Sequence, residues 1–272
     1  MKGKESQNLL FSDPLNESQG LTISEINRYL PAVRTVDDIF SDGEKLEDGL
    51  YLADARDGLS RVPDRSIDIV IAFPPIDPMK EGIGTGEQFT LGEFYNWNED
   101  WLAESHRVLR VTGSIYLLCN WKNSGMYHNL LSQYFHVQSR ITWRNHYENS
   151  ESQHRGWKNV HSDIWFATKS EEFLFEGDII PSLNENYIPN KMNNFWGDVL
   201  DDSGSNPLNN NIPEKVINRI LDASSFKLSW VLDPFTRYGL TGAVSKKMGR
   251  RFIGFETNQD QLLMAMKRID QT

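Results

Sequence analysis

The chain has 272 residues, with 28 Lys and Arg against 38 Asp and Glu, a formal charge of -10 and a single cysteine. That length gives one large α/β domain or two small ones, and 39% apolar residues with 8 Trp, 9 Tyr and 14 Phe exclude a disordered chain. A lone Cys119 excludes a disulfide scaffold and a cysteine-rich zinc site, and the acidic balance argues against a general nucleic-acid coat while leaving room for a local basic groove.

Met1–Gly20 is polar and holds no apolar signal core. Residues 1–48 read as an N-terminal extension, a loosely docked arm in which Thr22–Tyr29 and Val36–Phe40 each predict a short helix. From Gly49 the pattern changes. Leu50–Ala53 is a β run ending at Asp54, Ala55–Arg61 a helix, and Ile67–Phe73 an almost continuous apolar strand stopped by Pro74-Pro75. Strand, helix and then a strand without alternation is the pattern of a parallel sheet covered on both faces. Leu91–Leu109 predicts a long amphipathic helix, Val111–Gly113 a turn, Ser114–Cys119 a buried strand and Tyr127–Tyr134 a helix. Val137–Trp143 and Ile164–Thr168 predict strands around a polar insert. Residues 171–211 are irregular, acidic and Asn-rich. Pro213–Ala223 then reads as a helix and Trp230–Asp233 as a strand. Pro234–Gly242 reads as a loop, Ala243–Met248 as a helix, Phe252–Phe255 as a strand and Asn258–Ile269 as a closing helix. Both ends are βαβ material, so one doubly wound sheet covering residues 49–272 can be built from them. The longest apolar stretch, Ile69–Ile76, falls far short of the roughly 20 residues of a membrane span. The expected place is a reducing compartment, the cytoplasm (or the nucleus in a eukaryote).

Two strand exits carry residues suited to chemistry. At Phe73-Pro74-Pro75-Ile76, paired prolines fix the backbone, remove N–H donors and leave carbonyls free to accept from an amino group. In Val231–Gly242 a strand runs into a loop with small residues and then a helix. About twenty residues on, the next strand ends in an acid, Glu256. Such a layout holds a nucleoside: the loop admits a ligand to the backbone, and the acid accepts from ribose hydroxyls.

On these segments the chain resembles the β-class family of DNA amino-methyltransferases. Ala53-Asp54, Leu59–Asp64, Ser66-Ile67-Asp68 and Phe73–Ile76 stand where that family has Gly-Asp, Leu-Pro-Asp-x-Ser-Val-Asp and an acidic or polar residue before Pro-Pro-Tyr. Trp101–Glu104, Arg107–Ser114, Ile141–Trp143, Asn159–Phe166, Asn206–Pro213, Asp233–Thr241 and Gly249–Glu256 continue the match. The resemblance implies a Rossmann-like methyltransferase fold, mostly parallel, with the catalytic half ahead of the cofactor loop. It implies S-adenosylmethionine as cofactor, held by Asp54, Pro213, Asp233, Phe235, Thr236, Gly239, Thr241 and Glu256. It implies DNA as partner and methylation of adenine N6 or cytosine N4 on a flipped base gripped by Phe73, Pro74, Pro75 and Ile76.

The sequence departs from the family at its chemistry. Phe73 offers no acceptor, Ile76 no ring, and Arg237 and Tyr238 replace the loop's first glycine and its serine. Arg237 is expected either to obstruct the cofactor's methionine end or to pair with its carboxylate. These departures also suit a degenerate methyltransferase acting as a DNA-binding or regulatory subunit of a partner enzyme. Arg140, Arg144, Arg155 and Lys158, interleaved with Trp143, Tyr147 and Trp157, form the candidate DNA surface. The region 171–211 occupies the recognition position but is short of cations, which favours a homodimer or a partner subunit supplying contacts. His154 and His161 lack carboxylate or thiol companions at ligand spacing, so no metal is expected.

Overall fold

This computed structural model describes residues 11–13, 16–39, 46–75, 90–144, 157, 161–176, 193–199 and 212–272. In chain order the elements open with β1 (Phe11–Asp13), β2 (Asn16–Leu21), α1 (Ile23–Tyr29), β3 (Arg34–Thr35), β4 (Gly49–Leu52), α2 (Ala55–Arg61) and β5 (Ile67–Ala72). The middle of the chain supplies α3 (Leu91–Val108), β6 (Leu109–Cys119), α4 (Trp121–Tyr134), β7 (His136–Arg144), β8 (His161–Thr168) and β9 (Phe195–Trp196). The end supplies α5 (Glu214–Ser224), β10 (Trp230–Asp233), α6 (Leu240–Lys247), β11 (Arg251–Glu256) and α7 (Gln259–Asp270). A 3-10 turn spans Val36–Asp38 within the segment expected to be helical.

Nine strands form one sheet in the order β3-β4-β11-β10-β5-β6-β8-β7-β9, while β1 and β2 pair separately as an antiparallel ribbon. Only β8 runs against its neighbours in that sheet; every other pairing is parallel. The doubly wound, mostly parallel sheet expected from the sequence is therefore present.

Successive strand residues point to opposite faces. Val70 and Ala72 of β5, with Ile115 and Leu117 of β6, meet Leu59 of α2, Trp101 of α3 and Leu130 of α4. Ile69 and Ile71, with Tyr116 and Leu118, meet Ile217 of α5, Val244 of α6 and Leu262 of α7. Both faces are covered, which explains why these strands read as unbroken apolar runs rather than alternating ones. Asp68 ties three strands at the base of the sheet: Oδ2 accepts from the Trp230 N–H at 2.7 Å and Oδ1 from Arg110 at 2.6 Å.

Three expectations are corrected. Residues 20–39 are not loosely docked. Arg34–Thr35 extends the sheet beside β4, and Leu21 and Tyr29 are buried against Leu263 and Met264 of α7. Lys267 donates to the Gly20 carbonyl at 2.8 Å, and the Tyr29 hydroxyl donates to Asp270 at 3.0 Å. The turn expected at Val111–Gly113 is a bulge within β6, since Ile67 faces Leu109 while Ile69 faces Ser114. Helix α4 starts at Trp121, not Tyr127, because the Asn120 side chain caps it by accepting from the Asn123 N–H at 3.0 Å. In the region expected to be irregular, Phe195–Trp196 adds the short edge strand β9 to β7. No helix among the described residues is long and apolar enough to cross a membrane.

Candidate active site at the sheet's switch point

Strands β5 and β10 are parallel neighbours, with Val231 opposite Ile69 and Leu232 opposite Val70. Their onward connections diverge. β5 leads through α3 to β6 on one side, and β10 leads through α6 to β11 on the other. A crevice therefore opens between them at the carboxyl ends of the strands, where open α/β sheets bind ligands. The Phe73-Pro74-Pro75 segment leaves β5 on this rim, and Asp233–Gly239 leaves β10 beside it. Glu256 ends β11 and Asp54 follows β4 on the same rim, joined by the Ala53 N–H donating to the Glu256 carbonyl at 3.0 Å. Two segments separated by about 160 residues in sequence thus lie side by side.

Phe235 is half-buried, with its ring 5.5 Å from Trp97 and 5.2 Å, edge-on, from Trp101. Aromatic rings favour such tilted arrangements. The buried Asn98 orients this wall. Its Oδ1 accepts from Trp101 Nε1 and the Tyr127 hydroxyl, each at 3.0 Å, and its Nδ2 donates to the Phe94 carbonyl at 2.7 Å. Trp97 Nε1 is buried with no hydrogen-bond partner among the described residues. Sequence reading missed Trp97, Asn98 and Trp101 as site residues. The usable signal was an amide at a helix position flanked by aromatics three and four residues away.

Asp233 is buried at the root of the loop that follows β10, and its Oδ1 accepts from the Phe235 N–H at 2.9 Å. Burial raises its pKa to about 6, against the opposing hydrogen bonds from Thr241 and Phe235. Glu256 is also raised, chiefly by burial, although its oxygens accept from the Arg237 N–H at 2.8 Å and the Asn258 N–H at 2.9 Å. Each carboxylate oxygen retains a further lone pair able to accept from a hydroxyl. Asp54 caps α2, accepting from the Arg56 N–H at 2.9 Å.

A carboxyl group with a raised pKa holds its proton longer in the folded chain than in the unfolded one. Its burial therefore costs little below about pH 4, and stability is lost as pH rises through about 6. For Asp233 the loss is on the order of 3 kcal/mol at 1.36 kcal/mol per unit. Asp233→Asn should flatten that part of the profile. Urea midpoints of the unliganded protein at pH 5 and pH 7.5 should differ less in the variant than in the wild type; an equal fall in both would refute the assignment.

The loop's unusual residues have structural partners. Arg237 sits at φ 50, in the left-handed region, and its guanidinium lies over the Phe73 ring at 4.9 Å. Tyr238 packs against the cluster of Leu21, Tyr29, Leu263 and Met264, so the docked N-terminal segment reaches the loop. Gly239 has φ 76, and a Cβ there would stand 2.8 Å from the Ala265 Cβ. Its place therefore meets both a turn and a close helix contact. A Cβ on Gly254 would overlap Thr236 Oγ1, so this glycine lets the loop lie flat on β11. Thr241 is buried in the first turn of α6, and Pro213 is the N-cap residue of α5.

Ile76 lies outside the described residues, as do Arg155 and Lys158. Arg140 is on β7 with Nε 3.7 Å from Asp163 Oδ1, and Arg144 ends that strand. Since β7 is parallel to β5 and three strands away, Arg144 marks the same rim, about 14 Å from the β5 exit at ~4.8 Å per strand. Trp157 is fully exposed. Among the described residues, no three His, Cys, Asp or Glu side chains group as metal ligands.

Fold and rim together define a doubly wound α/β protein with a switch-point crevice beside a Pro-Pro strand exit. The DNA methylase family of the N6/N4 class matches residues 67–267, and the chain belongs to that family. It is 29% identical over 244 residues to the DNA adenine methyltransferase YhdJ of Escherichia coli K12, covering 80% of this chain and 81% of that one. It is 30% identical over 248 residues to the type II methyltransferase M.HpaI of Haemophilus parainfluenzae, covering 83% and 75%. Among solved structures, the cytosine-N4-specific PvuII DNA methyltransferase superposes with a TM-score of 0.64 at 16% identity, covering 81% of this chain and 85% of that one. The M1.HpyAVI–SAM complex superposes at 0.60 with 19% identity, covering 81% and 98%.

Proposed function

We propose that this chain transfers a methyl group from S-adenosylmethionine to the exocyclic amino group of adenine (N6) or cytosine (N4) in DNA. The observation that carries the reading is the juxtaposition of the β5 and β10 exits at one switch point. A cofactor on the Asp233–Gly239 side and a base on the Pro74-Pro75 side then meet in one crevice, and placing two reactants together supplies most of the rate.

The residues fit the cofactor. Phe235 offers a ring face for adenine within a wall of Trp97 and Trp101, where a buried indole N–H has no partner among the described residues. Glu256 and Asp54 suit the ribose and the amino-acid ammonium, and Asp233, Thr236, Gly239 and Thr241 shape the loop. When bound, the cofactor supplies the electrophilic methyl. The chain holds the target amine: the Pro74 carbonyl accepts one of its hydrogens and aims the lone pair, while Pro75 keeps the turn rigid. Methylation needs a flipped base because the amine is otherwise held in the stack. Arg140 and Arg144 on β7, together with Arg155 and Lys158 in the sequence that follows it, are the cations suited to the phosphates. We place this chemistry in a domain of residues 49–272, with 171–211 as its recognition insert, in the DNA-containing cytoplasm (or nucleus).

A second reading, a non-catalytic DNA-binding or regulatory subunit working with a partner or a second copy, is favoured by one observation. Phe73 stacks on Arg237 and has no acceptor to offer an amine. Methylation of mixed-sequence DNA with labelled cofactor separates the two. Incorporation by the chain alone supports the enzyme; incorporation only with an added methyltransferase subunit supports the partner role. Joint charge reversal of Arg144, Arg155 and Lys158 should abolish retention of the chain on duplex DNA in a mobility-shift assay. Unchanged retention would move the groove elsewhere.

A further inference from the structure

Strand β6 is the parallel neighbour of β5 on the side away from β10, with Ala72 opposite Leu117. β5 ends there and leads into Phe73-Pro74-Pro75, while β6 runs on to Cys119 and turns at Asn120 into α4. Trp121, the first residue of α4, follows Leu117 by four residues. Position 76, where the family has its ring, follows Ala72 in sequence by the same count. Trp121 therefore leaves the sheet on the rim of the Pro-Pro exit, one strand or about 4.8 Å across. The Asn120 cap fixes the helix start that carries it.

Trp121 is 47% exposed and makes no ring contact or hydrogen bond with other described residues. Trp97, Trp101 and Trp143 are buried, so this half-exposed indole is not spent on the core. Other exposed rings stand elsewhere. Phe195 is on β9, four strands from β5 or about 19 Å, and Phe226 precedes β10 at the opposite end of the sheet.

We infer that Trp121 is the base-stacking residue of the site, supplying from the β6 exit the aromatic face that Ile76 lacks. The inference rests on the base-gripping reading above and deepens it. The Pro74 carbonyl takes the amine, and the indole takes the face of the ring. A base drawn out of the duplex has lost its stacking partners, and one aromatic face restores about 10- to 100-fold in affinity.

The test compares the full-length wild type with Trp121→Ala and Trp121→Phe. The probe is a mixed-sequence duplex carrying the adenine analogue 2-aminopurine opposite a mismatched cytosine, at saturating protein. Stacking quenches this fluorophore. Emission should stay low in the wild type, rise in Trp121→Ala and stay mostly low in Trp121→Phe. On unmodified mixed-sequence DNA, kcat/KM should fall about 10- to 100-fold in Trp121→Ala and be largely kept in Trp121→Phe. The urea midpoint and the calorimetric affinity for S-adenosylmethionine should change little in either variant, since Trp121 lies at the surface.

Equal emission and equal kcat/KM in the wild type and Trp121→Ala would overturn the inference and leave the base-gripping reading standing. So would a loss in Trp121→Ala matched by an equal loss of cofactor affinity or stability, which would make the role structural. A wild type that binds S-adenosylmethionine but neither methylates DNA nor differs in emission from Trp121→Ala would overturn the base-gripping reading itself, and this inference with it.

Discussion

Phe73→Asn is expected to raise the methylation rate by about 10- to 100-fold over the wild type, at saturating cofactor. On the proposed reading, the Pro74 carbonyl accepts one hydrogen of the target amine in the wild type, and the second faces the Phe73 ring. An unmatched polar hydrogen in a dry site costs about 1–3 kcal/mol, and each 1.36 kcal/mol in a barrier is tenfold in rate. Asparagine restores an acceptor at the strand exit. Aspartate is the poorer choice, because Arg237 lies 4.9 Å from the ring it would replace and would pair with the new carboxylate. Steady-state kinetics with both substrates varied separates this gain in kcat from any change in cofactor binding. A kcat no higher in Phe73→Asn would mean that the target amine does not meet this loop. The non-catalytic reading makes a contrasting forecast, with no turnover in either protein without a partner subunit.

The residues that were legible in the sequence share a local origin. Strand β5 is unbroken apolar because both its faces are covered, and Pro74-Pro75 marks its exit whatever the fold around it. Glu256 stood out because one βαβ unit fixes its distance from Asp233. What stayed hidden depends on contacts far apart in the chain. Residues 20–39 look like a polar arm until Lys267 and Asp270, more than 240 positions away, supply partners for Gly20 and Tyr29. Trp97 and Trp101 follow ordinary helical spacing, so they read as core. Only the sheet order, which brings β10 next to β5, shows that Phe235 lies against them. The stack of Arg237 on Phe73 is of the same kind: each residue alone reads as damage to a motif, and together they form an interaction.

The aromatic wall also gives the largest expected loss of stability. Trp101 is fully buried, hydrogen-bonded to Asn98 at 3.0 Å and edge-on to Phe235. Trp101→Ala should lower the unfolding free energy by about 3–5 kcal/mol, as for other buried Trp truncations. Against a typical total of about 5–15 kcal/mol that is a large fraction. The fall should appear as a lower urea midpoint with little change in slope. Trp101→Phe separates packing from polarity. It keeps a ring beside Phe235 while removing the indole N–H from Asn98, whose Oδ1 still accepts from Tyr127, together with a few buried ring atoms. That variant should lose about 1–3 kcal/mol and hold S-adenosylmethionine nearly as well as the wild type. The alanine variant, measured under conditions where it stays folded, should bind the cofactor more weakly, because Phe235 loses the neighbour that sets its tilt. Equal cofactor affinity in the alanine variant and the wild type would restrict Trp101 to the core and leave Phe235 to be held by Trp97 alone.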